Sequence, residues 1–247
     1  MEDDAIRVLR LTGGKANAMD GALLDAIERM IDEFERGPAR AAVITGYERF
    51  FSAGLALPAL IDLDRGAMRA FIEQFGRAMT RVLACEKPLV AALNGHAIAG
   101  GCVLALMCDW RICADVSAKI GLNETQLGIG LPAIVIEPLR AQVPPASLIP
   151  VALEGRLFSP REAHSIGLVH EVVPEGDLTA RAEVKARELA APPGVGVAQV
   201  KRALRAPILA AIARTAAVET EHWLDSWFSG GAQEQLRAAV AGLKRPG

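Results

Sequence analysis

PLVAALNGHAIAGGCVLALMCDWRICA, residues 88–114, runs from an apolar segment of strand length through a corner of small residues into a helical apolar segment and back to a strand. Asn94 and Gly95 close the first strand, Gly100 and Gly101 open the helix, and residues 110–114 form the returning strand. That alternation is the unit of an α/β fold. Upstream, residues 6–11 read as an opening strand followed by a turn at Gly13 and Gly14. Asp20 caps a helix whose apolar positions Leu23, Leu24, Ile27, Met30, Ile31 and Phe34 recur at helical spacing until Gly37 and Pro38 end it. Residues 41–45 are a short buried strand, 50–57 a loop holding Ser52, Ala53 and Gly54, and 66–85 a further helix.

Downstream, Pro132, Pro138, Pro144, Pro145 and Pro150 predict a broken or short helix over 131–150. Ser159-Pro160-Arg161-Glu162 supplies a capping hydroxyl, a first-turn proline and a carboxylate three residues after the cap, which is a helix start. Residues 168–173 are the last strand. Beyond Asp177 the pattern becomes helical: 177–190, 198–227 interrupted near Pro207, and 232–243. The expected organisation is an α/β part over 1–176 and a helical part over 177–247.

The chain has 247 residues, 51% hydrophobic and 23% charged, enough to bury a core without disulfide or metal staples. With 27 Lys+Arg against 29 Asp+Glu, the net charge of −2 gives no basic field for nucleic acid or anionic membranes. Cys85, Cys102, Cys108 and Cys113 form no CxxC pair and have no His at ligand spacing, so they read as buried thiols, with no metal expected. The acidic start lacks the pattern of a signal peptide, and the longest apolar run, 97–108, is shorter than the about 20 residues that span a bilayer. A cytoplasmic protein is expected.

Two strand-to-loop corners, residues 51–55 and 94–101, are rich in small side chains that let a ligand approach the main chain. If they face one site, a backbone N–H from each makes a two-donor pocket for a developing oxyanion. Taken alone, each corner reads first as a tight turn where glycine relieves crowding. In GLNETQLGI, residues 121–129, Glu124 stands among uncharged residues; it is a surface cap or, if desolvated, a general base. His96 lies in the second corner, but no nucleophile and orienting partner can be assigned to it. His164, His170 and His222 read as structural, and Trp223, Trp227 and Phe228 as a core or subunit-contact stripe.

Taken together and in this order, the loop Lys15-Ala16-Asn17-Ala18-Met19, the two corners, GLNETQLGI, the Ser159-Pro160 helix start and Gly167-Leu168-Val169 resemble the crotonase superfamily, the enoyl-CoA hydratase/isomerase family. The resemblance covers essentially the whole chain. It implies a spiral of βαβ-type units with a C-terminal helical trimerisation region, an acyl-CoA substrate and a homotrimer or dimer of trimers. Coenzyme A would enter as part of the substrate, with no separate cofactor. The family's oxyanion-hole amides fall on Leu55 and Gly100, and its catalytic glutamate on Glu124. The resemblance further implies CoA contacts from Lys15, Ala16, Ala18, Ser52, Ala53 and Lys244, and an acyl pocket touching Val103 and Leu127.

Where the water-adding members carry another glutamate this chain has Val103, and Ala56 replaces a common aspartate. GLNETQLGI is most similar to the mitochondrial-type Δ3,Δ2-enoyl-CoA isomerase branch, in which one glutamate moves a proton from C2 to C4. The expected activity is therefore isomerisation of a 3-enoyl thioester. Hydration or another crotonase-type lyase or hydrolase reaction, and a catalytically silent acyl-CoA-binding protein, stand as alternatives.

Overall fold

The computed structural model describes residues 5–243. Strands β1 (Ile6–Arg10), β2 (Ala41–Thr45), β4 (Leu89–Leu93), β6 (Trp110–Ala114) and β8 (Glu171–Val173) form a parallel sheet in the order β1-β2-β4-β6-β8. Every residue of β2 and β4 is buried, as a parallel sheet covered on both faces requires. One face presents Ala41, Val43, Val90, Ala92, Ile112 and Ala114 to Ala182, Ala186 and Ala190 of α7 (Leu178–Ala190). Small side chains on both sides bring helix and sheet close. The alternate residues Ala42, Ile44, Leu89, Ala91 and Leu93 belong to the larger core, with α1 (Gly21–Arg36), α3 (Arg65–Ala84) and α4 (Gly100–Met107).

A second parallel sheet is built from three very short strands, β3 (Phe50–Ser52), β5 (His96–Ile98) and β7 (Ile120–Gly121), in the order β3-β5-β7. Residues 50–57, expected as a loop, thus contain β3 and the start of a single helical turn, α2 (Leu57–Leu60). The expected corner over 94–101 contains β5. Strands of two or three residues carry too little periodicity to stand out in sequence.

Asp20 and Ser159 cap their helices as expected, the latter in a complete capping box with Glu162 at the head of α6 (Pro160–Ser165). The last strand is shorter than expected. Gly167 takes φ 76° and the amides of Leu168 and Val169 both turn back to the Ala163 carbonyl, leaving only Glu171–Val173 to pair with β6. Between these, α5 (Ala133–Gln142) continues through Pro138, and short 3₁₀ and π turns follow it.

Helix α8 (Gly194–Trp227) is one uninterrupted helix of 34 residues, not two pieces broken at Pro207. Pro207 lies on the exposed side, where water can satisfy the carbonyl that its missing N–H leaves without a partner. After α8 the chain closes with α9 (Gly230–Leu243). Trp223 and Trp227 stack at 5.2 Å and are buried in this chain's own core. Of the two readings of their spacing, core or subunit contact, these two side chains take the core one. Among the described residues, no helix is long and apolar enough to cross a membrane.

The start of α8 is pinned by a buried charge cluster. The Asp109 carboxylate accepts from Lys201 Nζ at 2.6 Å, from Arg205 at 3.0 Å and from the Leu89 amide at 2.8 Å. Both cations are nearly inaccessible, so removing Asp109 leaves two buried positive charges without a carboxylate. Asp109→Ala is expected to cost about 3 kcal/mol or more in a denaturant titration. A loss below about 1 kcal/mol, the range of surface pairs, would mean that the cluster does not anchor the helix.

Candidate active site

All three positions singled out by the sequence lie just past the C-terminal ends of neighbouring strands of the small sheet: Leu55 after β3, Gly100 after β5 and Glu124 after β7. Parallel pairing places those ends side by side. Ligands of parallel sheets bind there for the same reason.

The first corner is stitched to the loop at residues 15–19. Buried Asn17 accepts from the Gly13 amide and donates to the Phe51 carbonyl, while Ser52 Oγ donates to the Asn17 carbonyl at 2.7 Å. Ala53 N donates to Ala16 O, Met19 N to Gly54 O, and Ala56 N to Met19 O. Ala16 at φ 61° and Asn17 at φ 48° bend the loop tightly enough to make these bonds. Lys15, Ala16 and Ala18 thus sit beside Ser52 and Ala53. The Ser52 hydroxyl is consumed by the fold, and what this corner can offer a ligand is main chain and the exposed Lys15.

The second corner packs directly on the first. A Cβ placed on Gly54 would lie 2.8 Å from Ile98 O and 3.1 Å from Gly100 N, and one on Gly101 only 2.3 Å from Ser52 O. Any side chain at either glycine would push the corners apart. Gly100 is the first residue of α4, whose N-terminus carries partial positive charge. Ala99 before it is held at φ 50°, ψ −122°, a region favoured by glycine; such strain of about 1–3 kcal/mol is characteristic of functional sites. Among the described residues, the Leu55 and Gly100 amides have no hydrogen-bond acceptor.

Both amides border a cavity of about 110 Å³. Its wall includes Val103 and Leu127 and, in addition, Leu57, Ile72, Phe75 and Trp223. Glu124 is the one ionisable side chain among the described lining residues; Asn123 is its polar neighbour. Glu124 Oε2 is sealed from solvent and has no hydrogen-bond partner among the described residues. Burial pushes the Glu124 carboxyl up to about 7, only partly opposed by a hydrogen bond from its own backbone. A carboxyl in that state can accept a proton and return it near neutral pH, beside two unpaired amides suited to an anionic oxygen.

Other candidates fall away from the cavity. His96 Nδ1 accepts from the Lys119 amide and its ring leans on Phe50, so it is structural. His170 is stacked on Trp110 and brought down to about 3, chiefly by burial and then by Arg111. Glu137 pairs with Arg140 on α5 and does not line the cavity. Ala56 caps α2 with its backbone only. The four cysteines are buried, and burial pushes each thiol up to about 12, leaving them unreactive. Lys244 lies outside the described residues.

The wall contributed by α3 and α8 has no local signature in the sequence. Ile72 and Phe75 looked like ordinary core positions, and the helical spacing of Trp223 carried no sign that it would reach Glu124's cavity.

The model of the enoyl-CoA hydratase/isomerase family matches residues 2–234. A carnitinyl-CoA dehydratase of Salmonella typhi is 35% identical over 195 residues, 78% of this chain and 74% of the relative. The human mitochondrial Δ3-Δ2-enoyl-CoA isomerase superposes with a TM-score of 0.93 at 26% identity, over 98% of this chain and 95% of that one. An enoyl-CoA hydratase of Mycobacterium marinum superposes with a TM-score of 0.81 at 30% identity, over 90% and 96%. Two glycine corners locked together beside a half-buried glutamate are thus set in a fold shared by isomerases and hydratases alike, and the chain belongs to the enoyl-CoA hydratase/isomerase family.

Proposed function

We propose that this protein is an acyl-CoA thioester isomerase that shifts a double bond from C3 to C2. The observation that carries the reading is that Glu124 is the one ionisable group among the described residues of the cavity, with a fully buried valine, Val103, as the nearby aliphatic wall. Isomerisation needs one base. Glu124 as carboxylate removes a C2 proton, the electron pair moves through the conjugated system onto the thioester oxygen, and the Leu55 and Gly100 amides stabilise that oxyanion. The protonated Glu124 then returns the same proton to C4, the electron pair flows back, and a 2-enoyl thioester results. Each amide is worth about 3 kcal/mol of barrier lowering by comparison with deletions of such donors elsewhere. The thioester is positioned by the Lys15 to Ala18 loop and the main chain of Ser52 and Ala53.

The relative that eliminates water gives the second reading, a dehydratase or hydratase. Moving water requires one group to handle the proton at carbon and another to protonate or deprotonate the oxygen. Val103 can do neither. Purified protein is expected to isomerise 3-hexenoyl-CoA while leaving crotonyl-CoA largely unhydrated. Hydration as fast as isomerisation would transfer the chain to the water-adding branch.

Glu124→Gln keeps size and some hydrogen bonding but removes the base, so kcat should fall by about 10³- to 10⁴-fold with little change in acyl-CoA affinity. Retention of more than about a tenth of the activity would assign the proton transfer to another group. In the wild type, kcat/KM should rise with pH through about 7, as the folded-state carboxyl ionises.

The same substitution should raise stability in alkaline solution. The ordinary carboxyl value is 4.5 and the folded value about 7, so the unfolded chain gains its charge first. The resulting penalty to the fold is absent below about 4.5, grows as pH rises between the two values, and is complete above about 7. Thermal unfolding at pH 8 should therefore show Glu124→Gln more stable than wild type, by up to about 3 kcal/mol, with the gain vanishing toward pH 4. Equal melting at both pH values would show that Glu124 is well solvated.

A further inference from the structure

The cavity is small and one side of it is thin. A cavity of about 150 Å³ holds a single benzene, six carbons; at about 110 Å³ this one has room for about four. Its wall is apolar apart from Asn123, Glu124 and the Leu55 and Gly100 amides at the reacting end, so the carbons beyond the thioester meet hydrocarbon. Ile72 on α3 and Pro132 before α5 also line a second space, a groove of about 650 Å³ between α3, α5 and α8. Gly76, Ala84, Ala133, Ile134, Ile212 and Ala216 give that groove a small and apolar floor, and Glu28, Glu73, Arg77 and Arg81 also border it. A Cβ on Gly76, one turn beyond Ile72, would meet nothing within 4 Å, so the groove is open on the α3 side. Ile72 and Pro132 are thus the wall common to the acyl cavity and the larger groove. Pro132 is fixed by its ring and by the helix it precedes, which leaves Ile72, nearly inaccessible at 5% exposure, as the removable partition.

From this shared wall we propose that the protein is selective for short acyl groups, of about four to six carbons, and that Ile72 sets the limit by blocking the way from the cavity into the groove. The inference rests on the acyl-CoA reading above and adds the substrate class and the residue that determines it. The Ile72 side chain is aliphatic and can neither give nor take a proton, so its role is to set which acyl length fits.

Binding of saturated acyl-CoA thioesters, which cannot be isomerised, tests the limit without depending on the chemistry. Calorimetric titrations of the wild type with butanoyl-, hexanoyl-, octanoyl- and decanoyl-CoA should show affinity level or falling beyond hexanoyl-CoA. A tail that found room would instead gain about four-fold per buried methylene. In Ile72→Ala the gain should resume, with the preference for decanoyl-CoA over butanoyl-CoA rising at least about ten-fold relative to wild type. Ile72→Val, a milder truncation, should give an intermediate profile and serves if the alanine variant folds poorly. Wild-type affinity that climbs steadily to decanoyl-CoA overturns the size limit while leaving the thioester reading intact. A limit that persists unchanged in both variants removes Ile72 as its cause. Failure of every chain length to bind brings down the thioester reading and this inference with it.

Discussion

The parallel pairing of three very short strands is the constraint on which the site depends. β3, β5 and β7 contribute eight residues in all, yet their alignment sets Leu55, Gly100 and Glu124 at adjoining strand ends, although the three are far apart in sequence. Ladders this short are not stable alone. They are held by the closure of Gly54 on Gly100 and of Gly101 on the Ser52 carbonyl, and by the Asn17 clamp beneath the first corner. Asn94 adds a further tie, accepting from the Gly46 amide while donating to Glu48 and Phe50 carbonyls. Glycine is needed at 54 and 101 because another backbone occupies the space where a side chain would go.

The large sheet and its helices serve as a rigid floor. The alanine face shared by α7 with β2, β4 and β6 leaves little slack, and the charge cluster at Asp109 binds the start of α8 to the same floor. From that anchor α8 runs unbroken to Trp223, and its length is what lets a residue near the end of the chain close a cavity whose chemistry lies between residues 55 and 124. The helical region thus contributes to the site of its own chain.

Much of this was legible in the sequence wherever a local rule acts strongly. The caps at Asp20 and Ser159, the buried strands at 41–45 and 110–114 and the small-residue corners follow from chemistry confined to a few neighbours. Glu124 stood out because it lies among uncharged residues beyond a strand, and the amides at 55 and 100 because of their place in the family pattern. What escaped the reading is non-local. Two- and three-residue strands are defined by partners rather than by periodicity, Pro207 is harmless because its side of α8 faces water, and the Trp223 to Trp227 stripe looks the same whether it covers a subunit or a cavity.

Glu35 and Glu124, both partly buried, show why one such carboxylate is suited to move a proton and another is not. Burial pushes the carboxyl of Glu35 up as well, but the Glu86 amide and the Arg81 guanidinium, at 2.7 and 2.5 Å, more than compensate and hold it below its ordinary value. Such a carboxylate is stable and correspondingly unwilling to accept a proton. Among the described residues Glu124 has no cation and no donor for Oε2, so its charge remains expensive and its basicity high. An arginine reaching that oxygen would strengthen the fold and weaken the base together. The unsatisfied oxygen is therefore the point at which local stability is surrendered, and the dense packing of the corners and the floor beneath them is what allows the fold to tolerate it.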